Sequence, residues 1–179
     1  MPLFENISIL IFGVGKGHAK RVVKVDVHSG AVSHIGPEYD GEFKWLRGVE
    51  VPAEVMGLND DGELAYPSGC FLALPCNSED GCVLKIDPET SQVSTFVTGP
   101  KIPNVEEGWL YHGGNLAADG YIYAIPASAP RVMKIDCRAE TTEYIGPEFH
   151  GKAKWYGGIT GSDGCIYGIR KLYIVICKS

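Results

Sequence analysis

The sequence predicts an all-β protein assembled from repeated four-stranded sheets, and three observations predict it. Three short phrases recur in a fixed order along the 179 residues. A β-rich run ending in aspartate appears at 21–26 (RVVKVD), 82–87 (CVLKID) and 131–136 (RVMKID); a Gly-Pro step at 35–37 (IGP), 98–100 (TGP) and 145–147 (IGP); a tryptophan at Trp45, Trp109 and Trp155. Their spacings agree: 61 and 49 residues for the aspartates, 63 and 47 for the glycines, 64 and 46 for the tryptophans. The second observation is the alternation of apolar and polar residues in runs bounded by Gly, Pro, Asp and Ser, which is the pattern of short strands and turns. The third is that no window places apolar residues at helical spacing over three turns, so no long helix is expected.

The cleanest copy defines the unit. In 110–146, GGNLA, YIYAIP, RVMKID and TTEYIG are four short β-runs joined by turns at Asp119-Gly120, at Ser128 to Pro130 and at a polar stretch after Asp136. A unit of roughly 47 residues and four strands matches a β-propeller blade. The phrases IGPEYDGEFKW (35–45) and IGPEFHGKAKW (145–155) tie the first and last copies together.

Taken in order, residues 7–37 form a partial blade. Residues 7–14 (ISILIFGV) align with IYAIP, so the chain enters on a second strand. Gly13, Gly15, Lys16 and Gly17 suggest a phosphate loop, but that chemistry needs a helix N-terminus behind the glycines. The β-like RVVKVDV follows instead, and the repeat makes the loop an ordinary blade turn. The second blade spans 38–100 and carries an insertion over 51–67. There VMGL and ELAY flank Asn59-Asp60-Asp61-Gly62, and Asp-Gly between apolar runs predicts an extra hairpin. Asp60, Asp61 and Glu63 lack the ligand spacing of a calcium loop, so turn chemistry is expected. The third blade spans 101–147. Residues 148–179 begin a fourth, which follows the pattern to Ile169 and then departs at 170–179 (RKLYIVICKS). The whole, 1–179, reads as a single repeat domain of about three blade-equivalents. Propeller rings close with about four to eight blades, so an incomplete ring, or one that a partner completes, is expected.

These motifs resemble the tandem repeats of the form DGCIYGIP, RVLKID, IGP and KWxGG found in proteins of algal protists. The resemblance rests on 163–169, 131–136, 145–147 and 154–158. More distantly the chain resembles NHL-like, SMP30-like and virginiamycin-lyase-like propellers over 8–170. That likeness implies that the GGITGSDG-type segment is the innermost strand, CIYGI-type segments the second, RVMKID-type the third and TTEYIG-type the outermost.

Bulk properties narrow the partners. Net charge is −6 with 45% hydrophobic residues, and no basic stripe marks a nucleic-acid surface. The six cysteines, at 70, 76, 82, 137, 165 and 177, include no CxxC and no zinc-type spacing; half-buried free thiols are the expectation. Neither 7–14 nor 173–177 approaches the roughly 20 residues of a membrane-spanning helix. No signal or transit peptide is visible, and the compartment is not indicated.

On a repeat scaffold, candidate functional residues are those that break the repeat. On the inner strands these are Arg47, Glu50, His112, Asn115 and Tyr156, expected as a binding set. His112 with Asn115 is the pair that could act as base and orienting group. No catalytic set, metal ligand or cofactor is assigned. The three tryptophans are expected to pack between blades, Asp26, Asp87 and Asp136 to accept hydrogen bonds from the turns that follow them, and Lys24, Lys85 and Lys134 to form a solvated strand face. The expected function is a non-catalytic binding or scaffold module that presents its loop face and its insertion to a protein partner or to copies of itself. It would be an accessory subunit of a larger assembly, and the algal resemblance implies a photosynthetic or organellar setting. The alternative is a metal-dependent hydrolase or lyase acting on a small molecule, which needs a divalent metal near Glu50, His112 and Asn115. The fold by itself implies no chemistry.

Overall fold

A computed structural model describes residues 8–11, 19–41, 44–77, 81–96 and 109–170. The glycine loop at 13–17, the second Gly-Pro step, the link at 101–108 and residues 171–179 lie outside the described residues. The fold is nearly all-β, in four antiparallel sheets that follow one another along the chain. The first holds β1 (Ser8–Ile11), β2 (Val22–Asp26) and β3 (Val32–Ile35). The second holds β4 (Trp45–Val51), β5 (Cys70–Pro75), β6 (Val83–Ile86) and β7 (Val93–Phe96). The third holds β8 (Tyr111–Leu116), β9 (Ile122–Pro126), β10 (Val132–Asp136) and β11 (Thr141–Ile145), and the fourth β12 (Trp155–Thr160) and β13 (Ile166–Arg170). Each sheet is a meander, so strand order equals chain order, as short hairpin connections dictate. The first strands β4, β8 and β12 lie side by side, which sets the sheets face to face like blades.

Period-two alternation decides which face is buried. Met133 and Ile135 point from the third sheet at the second; Leu72 and Leu74 point back from the second. With Tyr111, Ile122, Val51 and Cys70 they fill the junction between those two sheets, the larger core cluster. A smaller cluster of Val22, Ala73, Leu84, Ile86 and Val93 joins the first sheet to the second. Among the described residues no helix is long and apolar enough to cross a membrane.

The aspartate at the end of each third strand folds the next turn. Asp26 Oδ1 accepts from the N–H groups of His28 and Ser29, Asp87 Oδ1 from Glu89 and Thr90, and Asp136 Oδ1 from Arg138 and Ala139. A second clip recurs at the turn between first and second strands. Tyr123 Oη donates to Asp119 at 2.7 Å and Tyr167 Oη to Asp163 at 2.5 Å, so each tyrosine holds its own Asp-Gly turn.

The structure corrects three expectations. The insertion does not form a regular hairpin: its first apolar run is taken up by α1 (Ala53–Met56), which Gly57 ends at φ +81°. A minimal hairpin remains around the Asn59 turn: one bridge, Leu58 to Leu64, with Asn59 N–H donating to Glu63 O at 2.7 Å and Ala65 N–H to Gly57 O at 3.0 Å. There Asn59 Oδ1 accepts from Asp61 and Glu63 N–H groups, as turn chemistry would have it. Helix α1 turns Met56 into the main core against Cys70 Sγ, 3.3 Å away.

The second correction concerns Trp109, which precedes β8. The residue at the register position of Trp45 and Trp155 is Tyr111, since all three pair with the last residue of the second strand. Chemistry agrees with register. Trp45 Nε1 donates to Cys82 O at 2.8 Å, and Tyr111 Oη donates to the matching Arg131 O at 3.1 Å. Trp45 and Trp155 each meet an aromatic of the preceding IGPE phrase edge-on, Tyr39 and Phe149, at 4.9 Å.

The third correction is that the strand-three lysines are not a solvated row. Lys85 is buried, donates to Tyr66 Oη at 2.7 Å and pairs with Glu140 of the third sheet. Lys24 Nζ reaches across to Ser91 Oγ of the second sheet at 2.8 Å. Lys134 pairs with Glu143 in its own sheet and lies 3.9 Å from the Tyr121 ring centroid.

Candidate functional site

The first strands share one irregularity. Between Trp45 and Gly48, Tyr111 and Gly114, and Trp155 and Gly158, the register slips by a bulge. The third residue of each strand absorbs it with a positive φ: Arg47 at +59°, Gly113 at +84°, Gly157 at +88°. Two are glycines, for which this region carries no penalty. Arg47 is the exception, and a non-glycine residue there costs about 1–2 kcal/mol.

The two glycines make room for the arginine. A Cβ on Gly113 would sit 3.1 Å from Arg47 Cδ, and one on Gly157 would sit 3.4 Å from an Arg47 Nη. The Arg47 side chain therefore runs from β4 over β8 to β12, across the first strands of three sheets. No carboxylate among the described residues forms a salt bridge with it within 4.0 Å, and Arg47 is exposed.

Beside it stands an aromatic stack. His112 is buried between Trp109, 5.7 Å away and nearly parallel, and Tyr156, 3.5 Å away. Trp109 and Tyr156 are 39% and 51% exposed, so the stack shows both outer members to solvent. The structure thus brings together Arg47, His112 and Tyr156. Glu50 and Asn115 lie three residues further along β4 and β8, roughly 10 Å away at strand rise. Glu50 is exposed, and Asn115 Oδ1 is buried and accepts no hydrogen bond, from His112 or any other described residue. The insertion follows Val51, so it too belongs to the far end of β4.

Trp109 is the site residue that the repeat spacing hid. Counting back from the paired glycines would have found it: they stand two residues after Trp155 but four after Trp109. Tyr111 is the register match, and Trp109 is displaced to stack on His112.

His112 is clamped between rings rather than oriented toward Asn115. Among the described residues, no three His, Cys, Asp or Glu side chains gather where they could hold a metal ion, and Glu50 and Asn115 stand at the other end of their strands from His112. Burial raises the Cys70 and Cys137 thiols to about 12 and that of Cys76 to about 11, the opposite of an activated nucleophile. Aromatic faces and a guanidinium are side-chain types that can hold a ligand by stacking, cation–π contact or bidentate hydrogen bonds.

No protein-family model matches the chain, and no curated protein does. Among solved structures it is similar to a streptogramin B lyase, at 14% identity and TM-score 0.52, over 85% of this chain and 42% of that one. It is also similar to hydrazine synthase of Kuenenia stuttgartiensis, at 14% identity and TM-score 0.47, over 81% of this chain and 34% of that one. The chain thus spans less than half the length of either structure. The likeness to the lyase shows the fold: blade-like antiparallel sheets of propeller type.

Proposed function

We propose that this chain is a non-catalytic binding module, an arc of propeller blades whose last sheet is covered by association with another protein or with copies of itself. One observation carries the proposal. Leu72 and Leu74 of β5 are fully buried against the third sheet, whereas their register counterparts in β13, Tyr167 and Ile169, are 51% and 50% exposed. Ile159, paired with Tyr167, and Tyr156 extend the same apolar face. A contiguous apolar patch of this kind marks an interface. Arg47 and the His112 stack border it through Tyr156 and give it a polar, orienting rim.

In its finer form the reading makes the chain an accessory subunit of a larger assembly, and the motif resemblance to algal repeats supports a photosynthetic or organellar one. The test is a cysteine placed at Ile169. Its alkylation should slow several-fold as chain concentration rises through the association range, while the exposed Cys165 keeps reacting at one rate. Equal rates for both at every concentration would refute the self-association form. Equal rates that persist when the cell extract is added back would refute the module.

A further inference from the structure

The strand-three lysines repeat a contact from sheet to sheet, and among the described residues the last of them pairs within its own sheet instead. Lys24, Lys85 and Lys134 each stand two residues before the turn-forming aspartate. Each points toward the following sheet: Lys85 is paired in register with Leu72, and Lys134 with Tyr123. Four residues after the aspartate, the turn of every unit holds a residue at positive φ: Gly30 at +72°, Ser91 at +60°, Glu140 at +53°. That residue is the receiver. Lys24 of the first sheet donates to Ser91 Oγ of the second, and also meets Pro88 O at 3.4 Å. Lys85 of the second sheet pairs with Glu140 of the third. The contact is thus a latch that locks the outer half of one sheet onto the turn between the third and fourth strands of the next.

Lys134 should hold the same turn of the fourth sheet. Among the described residues that sheet is β12 and β13 alone, and β13 has one strand neighbour. On that side the third sheet carries an open cavity of about 280 Å³ lined by Tyr121, Lys134, Asp136, Thr141, Thr142 and Glu143. Lys134 folds back there onto Glu143, whose side chain is 62% exposed. The register counterparts of Glu143 are Ser33 and Ser94, which cannot form an ion pair and leave their lysines to reach outward.

We infer that the outer edge of β13, which has no second strand neighbour among the described residues, and the Lys134 cavity together receive a β-hairpin of another polypeptide. The hairpin pairs antiparallel with β13 and presents a hydroxyl or carboxylate to Lys134 from the fourth residue after a turn-forming aspartate. Strand addition at an exposed edge supplies backbone hydrogen bonds, and the lysine fixes which hairpin fits and in which register. The inference rests on the reading of the chain as an open arc.

The probe is a cyclised peptide with the sequence of residues 131–147, in which serine replaces Cys137. It carries the strand-three aspartate and the Glu140 receiver. Binding to the full chain should weaken about tenfold, the scale of a lost charge-assisted contact, for Lys134→Ala in the protein and equally for Glu140→Ala in the peptide. The two changes together should cost no more than either alone. A peptide that does not bind, or binds Lys134→Ala as well as the unchanged chain, overturns the inference. Hydrogen exchange on β13 separates that failure from failure of the open arc. Fast-exchanging amides on its outer edge leave the arc standing, and protected ones in the isolated chain remove it.

Discussion

The junction between the second and third sheets and the outward face of the fourth are built on the same register and end in opposite states. At the junction, Leu72, Leu74, Met133 and Ile135 are closed against one another, α1 adds Met56, and Lys85 bridges Tyr66 and Glu140. On the fourth sheet, Tyr167 and Ile169 occupy the positions of Leu72 and Leu74 and face solvent. The strands are equally β-forming in both places. What differs is the presence of a neighbour. A blade is stable as one of a stack, because each sheet has two faces to cover and owns only its own side chains.

That contrast can be broken by mutation, and the largest effect belongs to the junction. Leu74→Ala should cost about 2–5 kcal/mol, the range for buried leucine truncation, while Ile169→Ala should change the stability of the single chain by less than about 0.5 kcal/mol. Denaturant titration of both variants at low concentration measures the difference; equal losses would mean that the fourth sheet is as covered as the second. Next in size is the latch. Lys85→Ala should cost about 1–2 kcal/mol, because a mostly buried cation leaves a half-exposed carboxylate and a tyrosine hydroxyl behind it. Lys134→Ala should cost less than about 0.5 kcal/mol, since its partner is an exposed carboxylate.

Thiol chemistry sharpens the same contrast. Burial raises Cys70 and Cys137 to about 12 and Cys76 to about 11. At pH 8 these three should resist alkylation while exposed Cys165 of the fourth sheet is modified, as peptide mass mapping would read. The sign of the linked stability follows. An unfolded cysteine ionises near 8.5 while the folded thiols stay protonated, so the unfolded state sheds protons first. Stability should therefore be constant below about pH 8 and fall as pH rises toward 11 to 12. Replacing Cys70 and Cys137 with alanine should flatten that fall.

The last effect has the opposite sign. Arg47→Gly removes a positive-φ arginine from a position that β8 and β12 give to glycine, and should stabilise the chain by up to about 1 kcal/mol. The same change should weaken whatever binds at the aromatic stack. A thermal midpoint that drops instead would mean that the guanidinium contributes packing across Gly113 and Gly157 worth more than the strain.

The blades were legible because their signals are local. Alternation, Asp-Gly turns and the strand-ending aspartates act within a few residues, and the repeat supplied three readings of each. What spacing alone missed depends on contacts between units. Trp109 stood at nearly the right interval, but Tyr111 holds the register, because bulge geometry is counted from the paired glycines. Lys85 looked like a surface lysine until Glu140, 55 residues on, closed over it. Of the five binding candidates, Arg47, His112 and Tyr156 meet because the bulge sets β4, β8 and β12 in step; Glu50 and Asn115 share those strands but sit at the other end. The hairpin expected in the insertion is cut down to the Leu58–Leu64 bridge, since the stretch 53–56 has good helix formers and Gly57 to stop them.

The central claim is that the fourth sheet is an uncovered blade face made for association. Light scattering coupled to size exclusion, run on the chain and on its Tyr167→Lys, Ile169→Lys double variant, tests it most directly. The account predicts a mass above that of one chain for the first and the mass of one chain for the second, with both equally folded by circular dichroism. A single-chain mass for the unchanged protein at every accessible concentration, with no partner recovered on that face, would contradict it.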